Sequence, residues 1–298
     1  MVKAMVHDDF RSKRVKLKPE DFALSSGEDS QPSDIIPVDT WRSMTSLTDD
    51  VCLRTSDDYG SWLQDVWDFW LLWLDIAGIL QEDTSASPDS PITHVALNVT
   101  DYFQASIHNA LVGYYRVAFA SLRSVIENMV VGLHLELAGD RATFLDWLSG
   151  GELRFGSAVD YVITYPRIQN LEHALKVAVG DDLFHQRRPS SGDGGGLVRR
   201  FFRDLSQYVH AAPNHNDADI WESNGPVFVG EAFKRWTNAF LVAYALGVLH
   251  AQLARPNLNK MSQGRGVNAR ELFLNVIEKL PTTIDARQLL KAVPGSVW

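Results

Sequence analysis

Ala105-Ser106-Ile107-His108-Asn109-Ala110-Leu111-Val112-Gly113-Tyr114-Tyr115-Arg116-Val117-Ala118-Phe119-Ala120-Ser121-Leu122-Arg123-Ser124-Val125-Ile126-Glu127 is the stretch that decides the fold. A helical pattern lies on each side of one glycine, running from Val95 to Leu111 and from Tyr114 to Ala138. Gly113 marks a tight turn between them, which predicts an antiparallel helical hairpin; one kinked helix is the alternative. In the second helix Phe119, Leu122, Ile126, Met129 and Leu133 form the core stripe. Arg116, Arg123, Glu127 and His134 fall within about 40° of one another, roughly a right angle from that stripe. Ionisable groups bordering a core face need partners, because burial without one costs several kcal/mol. Arg123 and Glu127, four residues apart, can satisfy each other. Alternatively, Glu127 orients a catalytic histidine or arginine across a cleft.

Working outward toward the C-terminus, shorter helical patterns cover Arg141–Leu148, Gly156–Thr164 and Arg167–Val179. The loop Pro189-Ser190-Ser191-Gly192-Asp193-Gly194-Gly195-Gly196 has no Lys-Ser/Thr pair after it and no strand before it, so it reads as a connection rather than a phosphate cradle. An amphipathic helix follows from Leu197 to Ala211, stopped by Pro213. Ile220 to Phe228 reads as a short hairpin around Asn224-Gly225. A long apolar helix spans Glu231 to Leu253, and Asn268–Leu280 and Ile284–Ala292 close the chain.

Toward the N-terminus, Ser61 to Leu80 is intensely apolar, with Trp62, Trp67, Phe69, Trp70 and Trp73. Asp65, Asp68 and Asp75 on one stripe are costly in lipid, so a buried bundle helix is expected rather than a membrane span. The expected organisation is all-α, with no internal repeat. A polar, poorly ordered arm covers residues 1–58, a Trp-rich helix and linker 59–91, a helical core 92–255, and closing helices 256–298.

Charge is uneven along this chain, whose net charge is −9. That total argues against extended non-specific DNA binding. Residues 1–18 carry six basic and two acidic side chains, and residues 20–58 carry two basic and ten acidic. Arg187, Arg188, Arg199, Arg200 and Arg203 stand against Asp193 alone within residues 187–203, concentrating positive charge where a polyanion would need it. A loop of solvated arginines has the same composition. One cysteine, Cys52, rules out an internal disulfide and a cysteine-rich zinc site. With no apolar run behind the N-terminal lysines, a cytoplasmic setting without membrane insertion is expected.

Arg203-Asp204-Leu205-Ser206-Gln207-Tyr208-Val209-His210 puts a guanidinium and an imidazole two helical turns apart, about 20° different in azimuth. Val198, Phe201, Phe202, Leu205, Tyr208 and Val209 centre on the opposite side. Such a pair is a minimal kit for cleaving RNA, or simply a solvated face. Arg203 would hold non-bridging phosphate oxygens while His210 moves the ribose 2′-OH proton or protonates the leaving oxygen, with no metal or other cofactor. Two such helices across a homodimer would supply both acid and base. His210, His215, Asp217 and Asp219 form an alternative cluster for zinc or manganese, at a spacing that matches no strong signature. His94, His108, His173, His185 and His250 read as ordinary surface or core histidines. No hydrolase elbow, P-loop or dinucleotide fingerprint is present.

The hairpin from Ala105 to Glu127 resembles the first two helices of HEPN domains, and Arg203-Asp204-x5-His210 resembles the R-x4-6-H motif of that family. Leu205-Ser206-Gln207-Tyr208-Val209-His210 is also similar to a HEPN-like subgroup of bacterial proteins. The resemblance covers residues 95–255. It implies an all-α bundle, a homodimer and a metal-independent endoribonuclease of toxin–antitoxin or antiphage systems, with RNA as substrate and an antitoxin or defence-system protein as a partner. Carried over, it makes Arg203 and His210 catalytic, with Asp204 and Glu127 supporting. Arg199, Arg200, Gln207 and Arg123 are the candidate substrate-binding residues. A non-catalytic module binding a partner or nucleotide is the competing expectation. The long insert before the motif helix, the Trp-rich helix and the acidic arm depart from the family core.

Overall fold

The structure is a computed structural model that describes residues 37–82, 90–179, 182–185, 195–209 and 226–258. Among the described residues there are eight α-helices and no strand. They are α1 (Val38–Glu82), α2 (Pro91–Leu111), α3 (Tyr115–Ala138), α4 (Arg141–Leu148), α5 (Phe155–Val162), α6 (Pro166–Val179), α7 (Leu197–Gln207) and α8 (Gly230–Ala254). The all-α reading of the sequence holds. Packing divides the chain into two units, residues 1–45 and 46–298. In the first, the described residues are helical from Val38, with Asp39 in the first turn and Thr45 Oγ1 donating to the Trp41 carbonyl at 3.2 Å.

Helix therefore occupies residues 38–58, which composition assigns to a poorly ordered arm. The polar content there is helix-compatible, and Thr55 returns its hydroxyl to the Val51 carbonyl at 2.7 Å. The break instead falls at Tyr59, whose φ of −136° and ψ of 20° kink α1. The Tyr59 ring stacks on Phe233 of α8 at 4.8 Å.

The hairpin forms as its sequence demands. Gly113 takes a φ of +85°, and a Cβ there would lie 2.5 Å from the Val227 carbonyl oxygen. Both the backbone conformation and the close approach require glycine. Helix α2 starts a turn earlier than its apolar pattern suggests. Ser90 caps it by accepting from the Thr93 amide at 3.4 Å, and Pro91 occupies a position where no amide hydrogen is needed. Close packing of α2 on α3 is set at Gly132, where a Cβ would sit 3.0 Å from Val95. At the centre, Ser106 Oγ donates to the Ala118 carbonyl and accepts from Trp236 Nε1, both at 2.9 Å, tying α2, α3 and α8 together.

The Trp-rich part of α1 docks on α2. Trp73 Nε1 donates to the Ala96 carbonyl and Trp70 Nε1 to that of Thr100, each at 3.1 Å. Val66, Phe69, Leu72, Trp73 and Ile76 are buried in the bundle core. Among the described residues, the helix whose length and hydropathy would suit a membrane span is α8, and 94% of its most apolar window is buried inside the bundle. Every residue from Phe240 to Ala254 is buried, the signature of a central core helix. Its C-terminus is clamped. Glu136 of α3 pairs with Arg255, and accepts from Ser90 Oγ at 3.0 Å and the Ile92 amide at 3.2 Å; Arg255 also donates to Ser90 Oγ at 2.9 Å.

Pro226 to Phe228, expected as one arm of a hairpin, form no strand. Val229 donates its amide to Tyr115 Oη at 3.3 Å instead. The remainder of that hairpin, and the expected helices 268–280 and 284–292, lie outside the described residues.

Candidate functional site

The candidate site is built on α7, an eleven-residue helix whose three faces meet three different surroundings. Its N-terminus is occupied by protein. The amides of Gly196, Leu197 and Val198 donate to the carbonyls of His185, Asp182 and Leu183 at 2.8–3.1 Å. Glu172 of α6 holds that same segment by accepting from the Leu183 amide at 2.9 Å and from the Phe184 amide. Burial raises the Glu172 pKa, while those two hydrogen bonds oppose the rise. Helix-start amides that would otherwise hold a phosphate are thus satisfied internally.

The inner face turns to α3 and α5. Arg199, expected on the substrate side, donates to Asp160 at 2.5 Å and to the Gly156 carbonyl at 3.3 Å, and its side chain is mostly buried. Phe202 stacks on Phe155 at 3.8 Å. Arg123 of α3 pairs with Glu127 at 3.2 Å, donates from Nε to Ser206 Oγ at 3.0 Å, and lies over the Phe202 ring at 4.5 Å. In the first turn of α3, Arg116 reaches the carbonyl of Tyr208, the residue that follows α7, at 3.5 Å. The ionic line on α3 is therefore largely turned toward α7. Glu127 orients Arg123, and Arg123 grips the C-terminal half of α7 at Phe202 and Ser206. Further along the line, His134 packs edge-on against Tyr161 at 4.4 Å, and burial lowers its pKa.

The outer face carries Arg203 and Gln207, both exposed, four residues apart. Arg203 Nε lies 3.6 Å from Asp204 Oδ1, and the two side chains are 57% and 59% exposed. Leu205 and Val198 are buried behind them, so the expected separation of Arg203 from the apolar side is observed. Val209, assigned to the apolar face from its spacing, is exposed.

Helix α7 ends at Gln207 rather than Ala211. Tyr208 and Val209 close the last turn with tighter bonds, their amides donating to Leu205 and Ser206 carbonyls at 3.2 and 3.1 Å. Alignment of Arg203 with His210 in azimuth requires uninterrupted α-helix, and α7 stops short of His210. His210 itself lies outside the described residues, as do His215, Asp217 and Asp219. Among the described residues, no cluster of three or more potential metal ligands occurs.

The third face borders an open groove of about 340 Å³ between α3, α7 and α8. Arg200 and Asp204 line it from α7, and Arg235 and Asn238 line it from α8. Phe119, Leu205 and Val242 form a buried apolar floor. Arg200 also donates to the Gly195 carbonyl at 2.7 Å. Arg235 and Asn238 escaped the sequence reading. With Glu231, Lys234 and Thr237 they make up the polar first turns of a helix that is apolar beyond them.

Of the candidate residues, the structure brings Arg123 and Glu127 together, places Arg200 and Asp204 on one groove, exposes Arg203 and Gln207, and directs Arg199 into an ion pair elsewhere. Compared with known protein families, curated proteins and solved structures, the chain shows no match.

Proposed function

We propose that this chain is a metal-independent endoribonuclease of HEPN type, acting as a homodimer in the cytoplasm of a bacterial cell, as a toxin or antiphage effector restrained or triggered by a partner protein. The observation that carries this reading is Arg203. It stands exposed on α7 with a long contact to a sequence neighbour, while the nearby Arg199 and Arg123 are engaged by folding contacts. A guanidinium positioned this way is suited to two non-bridging phosphate oxygens.

In the proposed reaction His210 takes the proton of the ribose 2′-OH, and the 2′-oxygen attacks phosphorus. The P–O5′ bond breaks, the 5′-oxygen takes a proton from the partner subunit's His210, and a 2′,3′-cyclic phosphate remains. Arg203 stabilises the extra negative charge of the transition state, an effect of about 10²–10³ in rate for comparable donors. Incubating the purified chain with cellular RNA in excess EDTA tests the reading. The expected products carry 2′,3′-cyclic phosphate ends and vanish in His210→Ala. Intact RNA, or cleavage that EDTA abolishes, would overturn it.

The groove favours a second reading, a non-catalytic module that binds a nucleotide or partner. Its mark would be nucleotide binding by a chain that leaves every RNA intact.

A further inference from the structure

We infer that the groove between α3, α7 and α8 holds one nucleotide of a bound RNA strand, next to the phosphate on Arg203, with Arg235 and Asn238 as its binding residues. This inference rests on the endoribonuclease reading and adds to it a second contact point on the strand. Three features support the assignment. The groove volume of about 340 Å³ falls at the small end of sites for single small molecules, ~300–1,000 Å³. Tyr208, stacked on the buried Phe119 at 4.1 Å, and the partly buried Phe201 and Ala239 give its wall an apolar surface suited to the face of a base, whereas its rim is polar. Two guanidinium groups, Arg200 and Arg235, give that rim the sign a phosphodiester requires.

The carboxylate of Asp204 on the same rim disfavours a bare polyphosphate, yet it can accept from the amino group of a base. Asn238 offers both a donor and an acceptor. Arg200 and Asp204 flank Arg203 at three residues before and one after, so a strand lying across Arg203 passes the mouth of the groove within one helical turn. Stacking or partial burial of one base accounts for roughly a tenfold change in affinity or more.

The test is fluorescence anisotropy on the full chain, using a labelled single-stranded RNA of about 12 nucleotides, randomised in sequence and made with 2′-O-methyl riboses that block cleavage. Cleavage of the unmodified RNA is followed in parallel. Arg235→Ala and Asn238→Ala alter rim side chains, and unchanged circular dichroism and melting temperature verify that both variants fold. The expected result is an affinity reduced about tenfold in each variant. The same reduction without any cleavage by the wild-type chain would support the groove while overturning the nuclease reading. Unchanged affinity in both variants, with cleavage intact, would overturn the groove assignment alone. Binding of free AMP or GMP with no RNA binding would also overturn it, and would favour the nucleotide-binding module.

Discussion

Arg255–Glu136 and Arg203–Asp204 are both guanidinium–carboxylate pairs at the ends or edges of helices, and they do opposite things. The first has side chains only 18% and 13% exposed, and it joins the start of α2, the end of α3 and the end of α8 through Ser90 and the Ile92 amide. The second is more than half exposed, links neighbours in sequence and, among the described residues, holds no other element. Low exposure and partners drawn from distant parts of the chain identify a charge that the fold requires. High exposure with only a local contact identifies a charge that the fold can lose, which leaves it open to a ligand. Arg123 stands between these extremes, fixed by Glu127 and Ser206 but only partly buried.

Substitutions can break this contrast in order of size. Glu136→Ala strands Arg255 near the core and is expected to lower unfolding free energy by about 3 kcal/mol, read by urea denaturation. A similar magnitude applies to His250 through pH. Burial pushes its pKa from 6.5 down to about 4, with Nδ1 bonded to the Leu246 carbonyl and the ring edge-on to Phe184. The unfolded chain then binds a proton that the folded chain refuses. Stability is complete above pH 6.5, falls as pH drops toward 4, and is lower by about 3 kcal/mol once below 4. His250→Leu should remove that part of the acid slope in melting temperature; an unchanged slope would show that other groups dominate.

Arg123→Ala loses a charged hydrogen bond, an ion pair and a ring contact, together about 1–2 kcal/mol. It should also loosen α7, seen as faster amide exchange at Ser206 and Gln207. Wild-type exchange there would mean that α7 is positioned without it. Smallest is Arg203→Ala, whose effect on unfolding should stay within about 0.5 kcal/mol.

Much of the fold was legible because single residues enforce it. Gly113 announces its turn, since only glycine satisfies both a positive φ and the Val227 backbone beside it. The apolar stripe of α3 and the continuous apolar run of α8 announce their burial. The helix over residues 38–58 was missed because its polar, acidic composition resembles a disordered arm. The start of α2 was missed because a Ser-Pro cap precedes the apolar pattern it serves. The site was less legible for a geometric reason. Intrahelical spacing correctly anticipated that Arg123 meets Glu127 and that Arg203 leaves the core. Spacing within one helix says nothing of partners on another, so the grip of Arg123 on Ser206, the diversion of Arg199 to Asp160, and the sharing of one groove by Arg235 and Arg200 emerge only from packing.

The central claim, that α7 presents an arginine the fold can lose but RNA cleavage needs, is tested most directly by the RNA cleavage rate of Arg203→Ala at matched melting temperature. The account predicts a drop of at least about 100-fold with the fold unchanged. A rate equal to wild type would contradict it.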